Sequence, residues 1–138
     1  MLRIGRALYV GRSTRTDAAG IAALADLVRP LGYEVIEARL RDCLHLKTGA
    51  TFAGDGVLLY DERSVDPSQF AGVEPLAVSD PAAANCVLAG DRLILPAGNA
   101  KTAAQLRDRG FHVIEVDVSE LQKAEAGVTC MSLIDNRA

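Results

Sequence analysis

Gly-Tyr-Glu-Val-Ile-Glu at residues 32–37 returns as Gly-Phe-His-Val-Ile-Glu at residues 110–115, an offset of 78 positions. A second echo is tighter, since Ala-Gly-Asp-Gly-Val-Leu-Leu at residues 53–59 matches Ala-Gly-Asp-Arg-Leu-Ile-Leu at residues 89–95. Residues 4–10 form a looser third copy. Repeats of this size cannot bury their own apolar faces and must pack against neighbours. The chain is therefore predicted to be an α/β protein made of repeated hairpin–helix–strand units.

The first copy indicates the order of elements within a unit. Residues 4–10 are predicted to form one strand. Thr16 or Asp17 can cap the helix that follows, because both side chains accept hydrogen bonds from the first helical N–H groups. Pro30 ends that helix, and a strand over residues 33–38 completes the unit.

The remaining helices are predicted over residues 100–109 and, in a shorter form, near residues 67–70. No linker or low-complexity stretch interrupts the chain, so residues 1–138 are predicted to form a single domain. If the 78-residue offset continues past the strands, Thr51 and Thr129 occupy equivalent positions.

Composition excludes several classes of function. Hydrophobic residues make up 49% of the chain and charged residues 24%, with a formal net charge of −3, which is typical of a globular protein. Aromatic residues are only 4%, and no basic cluster contains them, so a nucleic-acid partner is not expected. No apolar run approaches the roughly 18 residues of a membrane span, and the N-terminus has no signal-peptide core, so the chain is expected to be cytoplasmic.

One cysteine and one histidine stand out by their surroundings. Cys130 follows small residues in Gly-Val-Thr-Cys-Met-Ser, and His45 lies 85 positions upstream in Cys-Leu-His-Leu-Lys-Thr-Gly. A thiol becomes a good nucleophile when it ionises, and a nearby imidazole promotes ionisation and also moves protons. The pair therefore indicates covalent catalysis, with both side chains lining one cavity. The residues alone leave open that Cys130 belongs to a final core strand and His45 to an ordinary loop.

Other chemistry is weakly indicated. Cys43, His45 and Cys130 could bind zinc, but no Cys-x-x-Cys element supports such a site, and neither a metal nor another cofactor is predicted. The three cysteines, an odd number at irregular spacing, do not indicate a disulfide framework. Arg15, just before the first helix, can bind a carboxylate through its fork of donors, or it can be a solvated loop residue.

Four stretches together resemble the dimethylarginine dimethylaminohydrolase family, within the guanidino-modifying pentein superfamily. They are residues 9–16, 44–49, 84–86 and 127–133. The resemblance implies that Cys130 is the nucleophile and His45 the general acid/base. It also implies that Arg15 holds the substrate's α-carboxylate and that Glu125 contacts the substrate.

The same resemblance implies a fold and a reaction. The fold is a five-unit ββαβ pentein propeller, of which this chain would be about half, the C-terminal half. The reaction is hydrolysis of N-methylated arginine to citrulline and a methylamine through a thiouronium intermediate on the cysteine. The alternatives are another guanidino enzyme, either an arginine deiminase or an amidinotransferase, or an inactive fragment that serves as an interaction module. The expected partners are a small-molecule guanidino substrate and either a second copy of the chain or a missing N-terminal half.

Overall fold

Three small sheets follow one another along the chain in the computed structural model, which describes residues 1–134. Each sheet has three strands in sequence order, with the first two antiparallel and the third parallel to the second. The strands are β1 Leu2–Ile4, β2 Ala7–Arg12 and β3 Glu34–Arg39 in the first sheet, β4 Ala50–Gly54, β5 Val57–Tyr60 and β6 Glu74–Ala77 in the second, and β7 Val87–Ala89, β8 Arg92–Pro96 and β9 His112–Val116 in the third. The predicted α/β class and its repeated units are confirmed.

Helices make the crossovers that parallel strand pairs require. Helix α1, Ala18–Val28, joins β2 to β3, and α3, Ala100–Asp108, joins β8 to β9. The second unit uses only a 3-10 helix, Pro67–Gln69. The remaining helices are α2 Leu46–Gly49, α4 Ser119–Lys123, and the 3-10 helices Arg29–Leu31 and Pro81–Ala84. None of the helices within residues 1–134 is long and apolar enough to cross a bilayer.

The prediction of one uninterrupted strand over residues 4–10 is wrong, whereas the hairpin that the repeated unit predicts there, and the elements that follow it, are confirmed. Gly5 has φ +57° and opens a two-residue turn, so β1 and β2 form a hairpin in which Ile4 pairs with Ala7. Glycine at the first central position is what such a tight hairpin turn requires. Asp17 caps α1, because its side chain accepts a hydrogen bond from the Gly20 N–H.

Gly32 and Gly110, which open the two copies of the quoted repeat, end helical segments in the same way. Their φ angles are +77° and +89°, in the left-handed region. Each glycine and the residue after it donate backbone hydrogen bonds to carbonyls of the preceding helical turn. This is the Schellman arrangement, in which glycine avoids the steric cost of the left-handed conformation. Both copies of the repeat therefore share one geometry, in which a helical segment ends at the glycine and a parallel strand follows.

The apolar core lies between sheets. Leu58 of β5 joins a cluster with the first sheet, whereas Val57 and Leu59 join a cluster with the third. Strand β5 is thus buried on both faces. Because successive side chains of a strand point to opposite faces, those of β5 pack alternately toward the third sheet and toward the first. Each repeated unit therefore buries its apolar face against the adjacent unit, as the repeat predicts.

A third, smaller cluster covers the far face of the third sheet. Val118 and Val128 pack there on Val87, together with Leu121 of α4. This packing fixes the path of the chain after α4, and so places residues 125–130 beside the third unit.

Candidate active site

A cavity of about 260 Å³ brings together His45, Glu125 and Cys130. Its other lining residues are Thr48, Pro81, Ala82, Asn85, Pro96, Gln122, Ala126 and Gly127. They come from α2, the 3-10 helix Pro81–Ala84, the end of β8, and the segment around and after α4. His45 and Cys130 therefore line one cavity, as the sequence predicts.

His45 owes its position to the anchored residues on either side of it. It precedes α2 in extended conformation, with φ −128° and ψ 132°, and its carbonyl accepts from the Thr48 N–H. Leu46, only 1% exposed, is held in the core between the first two sheets. On the other side, the carbonyl of Leu44 accepts a 2.8 Å hydrogen bond from the Ser13 hydroxyl. The backbone is fixed while the imidazole remains exposed.

Cys130 is the exposed cysteine of the three. Its N–H donates to the Gly127 carbonyl in a turn, and the buried Val128 holds that turn on the third sheet. Cys86, by contrast, is fully buried, and burial raises the pKa of its thiol to about 12. Burial also raises the pKa of the half-buried Cys43. A thiol must ionise to act as a nucleophile, which disfavours Cys86 and Cys43 in that role.

Glu125 reaches the cavity from a strained backbone. Its φ is +56°, and its N–H and that of Ala126 donate to the carbonyls of Gln122 and Leu121. This is the same helix stop that Gly32 and Gly110 make, but with a glutamate where glycine is favoured. The left-handed conformation costs a residue with a Cβ about 1 kcal/mol. Strain of this kind is concentrated at functional sites, where the surrounding structure imposes it.

Arg15 is placed differently from the other three predicted residues. Arg15 is not among the residues of the described part of the chain, 1–134, that line the cavity. It lies exposed in a turn in which its N–H donates to the Ser13 hydroxyl, the same hydroxyl that donates to Leu44. Arg15 is therefore linked through one side chain to the segment that carries His45.

Asn85 was given no role by the sequence, yet it lines the cavity and hydrogen-bonds both sides of it. Its amide nitrogen donates to the Lys47 carbonyl and to the Thr129 hydroxyl, each at 3.0 Å. Its amide oxygen accepts from the Thr129 N–H, also at 3.0 Å. The available signal was a single polar residue in the otherwise apolar residues 82–89, since buried polar groups are the informative ones.

Two further observations concern Thr51 and zinc. Thr51 lies buried in β4, whereas Thr129 lies in a turn after α4, so their predicted equivalence does not extend to secondary structure. For zinc, no group of three or more His, Cys, Asp or Glu side chains within residues 1–134 is arranged to hold a metal ion.

Comparison with known proteins shows which proteins the chain resembles. No protein-family model matches the chain. An N(G),N(G)-dimethylarginine dimethylaminohydrolase of Streptomyces coelicolor is 38% identical over 135 residues, which cover 96% of this chain and 52% of that protein. The crystallised enzyme of Pseudomonas aeruginosa, a cysteine-to-serine mutant complexed with citrulline, superimposes with a TM-score of 0.89 at 34% identity, covering 96% of this chain and 52% of the other.

This chain is homologous to the dimethylarginine dimethylaminohydrolases. A further structure of such an enzyme, with a histidine replaced by glycine and an adduct with S-methyl-L-thiocitrulline, also has a TM-score of 0.89 at 34% identity. It covers 96% of this chain and 53% of the other. The chain thus spans about half the length of the dimethylarginine dimethylaminohydrolases that it matches.

Proposed function

We propose that this chain provides the cysteine and histidine of an amidine hydrolase that converts N-methylated arginine to citrulline and a methylamine. The observation that supports this most strongly is the convergence of His45, Glu125 and Cys130 on one cavity, in a chain homologous to dimethylarginine dimethylaminohydrolases. In the related structures, citrulline is bound to a cysteine mutant and a thiocitrulline adduct forms in a histidine mutant.

The reaction begins with attack of the Cys130 thiolate on the planar guanidinium carbon. As the bond from that carbon to the methylated nitrogen breaks, the His45 imidazolium gives its proton to the leaving amine. The product of this step is a thiouronium in which the carbon is bonded to the sulfur of Cys130.

Hydrolysis completes the cycle. His45, now neutral, takes a proton from water, and the resulting hydroxide adds to the thiouronium carbon. The carbon–sulfur bond then breaks, which restores the Cys130 thiolate, and the new hydroxyl group loses its proton to solvent, so that the neutral ureido group of citrulline is released. One water is consumed, one amine and one proton are released, and His45 ends protonated as it began.

Charged side chains orient the substrate in this scheme. The Glu125 carboxylate lies at the cavity and attracts the cationic guanidinium, an interaction that strengthens when water is excluded. Arg15 binds the α-carboxylate at the other end of the substrate, through the two-pronged contact that a guanidinium makes with a carboxylate. Its link through Ser13 to the His45 segment supports this role.

The three units form the C-terminal half of a five-unit pentein propeller. Among residues 1–134, Glu125 is the one carboxylate that lines the cavity. The resemblance implies further carboxylates around the guanidinium, which the rest of the ring would supply. A second copy of this chain or a separate N-terminal half supplies them, and light scattering of the active fraction measures the mass of the assembly and so tests this.

The three free thiols fit a reducing compartment such as the cytoplasm.

Covalent trapping tests the proposed chemistry. The purified His45→Gly variant, which has no imidazole at this position to activate water and hydrolyse the thiouronium, is incubated with S-methyl-L-thiocitrulline, and the modified peptide is located by mass spectrometry. We expect an adduct on Cys130 that is lost when Cys130→Ser is added and retained when Cys86→Ala is added instead, because Cys130 is the exposed cysteine that lines the cavity. Modification of Cys43 or Cys86 instead would contradict the proposal.

A further inference from the structure

We propose that Asn85 is a positioning residue that sets His45 and Cys130 at reacting distance by tying α2 to the turn before Cys130. The inference rests on the proposed function, because it concerns how that cysteine–histidine pair is aligned. Asn85 has no part in the bond-making steps; it acts through the segments it holds.

The hydrogen bonds of Asn85 reach residues close to both members of the pair. Lys47, whose carbonyl accepts from the amide nitrogen, is two positions after His45. Thr129, which engages both the nitrogen and the oxygen of the amide, immediately precedes Cys130. One side chain therefore spans the cavity wall between the two segments.

The side chain is well suited to this task. It must donate twice and accept once, a combination that a carboxamide provides and that a carboxylate or an alkyl group does not. Asn85 is 8% exposed, so partners left without it would be poorly compensated by water.

The surroundings make the link rigid. Asn85 ends the 3-10 helix Pro81–Ala84 through a hydrogen bond to the Ala82 carbonyl, and the next residue, Cys86, is fully buried. On the other side, a Cβ on Gly127 would lie 2.7 Å from the amide oxygen. Only glycine allows the turn to pack so closely on the amide, so this contact and the three hydrogen bonds act together.

The role can be measured through the alkylation of Cys130 by two probes. Chloroacetamidine is a cation shaped like the guanidinium group, whereas iodoacetamide is neutral and reports mainly the exposure of the thiol. Asn85→Ala should lower the rate with chloroacetamidine by about 10- to 100-fold, since misplacement by about 1 Å can cost that much. The rate with iodoacetamide should change by less than about threefold, because Cys130 stays exposed.

Two controls separate positioning from general destabilisation. Asn99 is a second buried asparagine, 7% exposed, whose amide nitrogen donates to the carbonyls of Pro96 and Ala97. Pro96 lines the cavity but Asn99 does not, and neither of these hydrogen bonds reaches the segment of His45 or that of Cys130. Asn99→Ala should leave the ratio of the two rates unchanged. Thr129→Val, which removes one of the three hydrogen bonds, should give a smaller loss than Asn85→Ala and serves if the latter does not fold.

A double-variant comparison provides the decisive result. If Asn85 acts through the pair, its replacement should have little further effect in a His45→Ala background. Equal losses with both probes, or the same loss with and without His45, would overturn the positioning role. Failure of the proposed function looks different: the unsubstituted chain would then show no preference for chloroacetamidine and no dependence on His45, and the positioning role would fall with it.

Discussion

Cys86 and Cys130 each follow a member of the same hydrogen-bonded pair, Asn85 and Thr129, yet their surroundings are opposite. Cys86 immediately precedes β7, the first strand of the third sheet, and is buried in the core that this sheet shares with the second. Cys130 follows the third unit and lies exposed at the cavity. The two thiols differ because a neighbouring unit covers one and leaves the other open. In a protein made of repeats, reactivity depends on what packs next to a residue as much as on its local sequence.

The largest expected effect is on thiol reactivity. A thiol with a pKa of about 12 is ionised to about one part in 10⁴ at pH 8, and Cys86 is also inaccessible. Iodoacetamide should therefore modify Cys130 about three orders of magnitude faster than Cys86 in the folded chain. Time-resolved peptide mapping measures both rates, and unfolding in urea should remove most of the difference. Comparable rates without urea would break the comparison.

A smaller effect is expected on stability in alkaline solution. Below pH 9 the Cys86 thiol is protonated in both states, so it contributes no pH dependence. Between about pH 9 and about pH 12 the unfolded chain releases this proton while the folded chain retains it. The free energy of unfolding should then fall by about 1.4 kcal/mol per pH unit from this group, and its contribution is fully lost above pH 12.

Urea titrations from pH 8 to pH 10.5 can isolate that contribution. Other groups titrate in this range, so the quantity of interest is the difference in slope between the unsubstituted chain and Cys86→Ala. Cys130→Ala is the matched control and should retain the full slope. Parallel curves for the unsubstituted chain and Cys86→Ala would show that the Cys86 thiol is not sealed in the folded state.

The smallest expected effect is on stability, and it compares the helix end within the third unit, at Gly110, with the helix end that follows the unit, at Glu125. Glu125 adopts with a Cβ the conformation that Gly110 adopts without one. Glu125→Gly should raise the free energy of unfolding by about 1 kcal/mol, and Gly110→Ala should lower it by a similar amount. Glu125→Ala keeps the strain while it removes the carboxylate, so it should not stabilise the chain. Equal stabilities for Glu125→Gly and Glu125→Ala would mean that the backbone strain is negligible.

Much of the fold could be predicted because its signals are local. A cap at Asp17, a glycine stop at Gly32 and alternating apolar strands each involve residues near one another in the chain. The hairpin at residues 4–7 could be predicted only through the repeat, because its turn, a glycine and an arginine, taken by itself resembles an irregularity within one strand. The surroundings of Cys130 and His45 indicated the pair, the resemblance implied the role of each, and the structure brings both to one cavity.

What the sequence could not predict depends on contacts between distant segments. Asn85 meets Lys47 and Thr129 only after the units have packed, and nothing within its own segment specifies those partners. The strained backbone at Glu125 could not be predicted, because the end of a helix in the left-handed conformation is recognised in a sequence by its glycine, and none is present there. The expected equivalence of Thr51 and Thr129 failed because the two segments, similar through their strands, then diverge into a strand and a turn.

The order of strands in each sheet has one further consequence. The first strand of each sheet contacts the first strand of the next sheet, since β1 lies against β4 and β4 against β7. Within residues 1–134 the opposite edge of each sheet, its outer edge, is therefore formed by its third strand: β3, β6 or β9. An outer edge offers unpaired backbone groups that can template aggregation. Here β3 carries exposed Glu34, Glu37 and Arg39, β9 carries exposed His112 and Glu115, and β6 is four residues long and contains Pro75. Charge and proline thus discourage strand addition from outside, which directs association toward the faces between units.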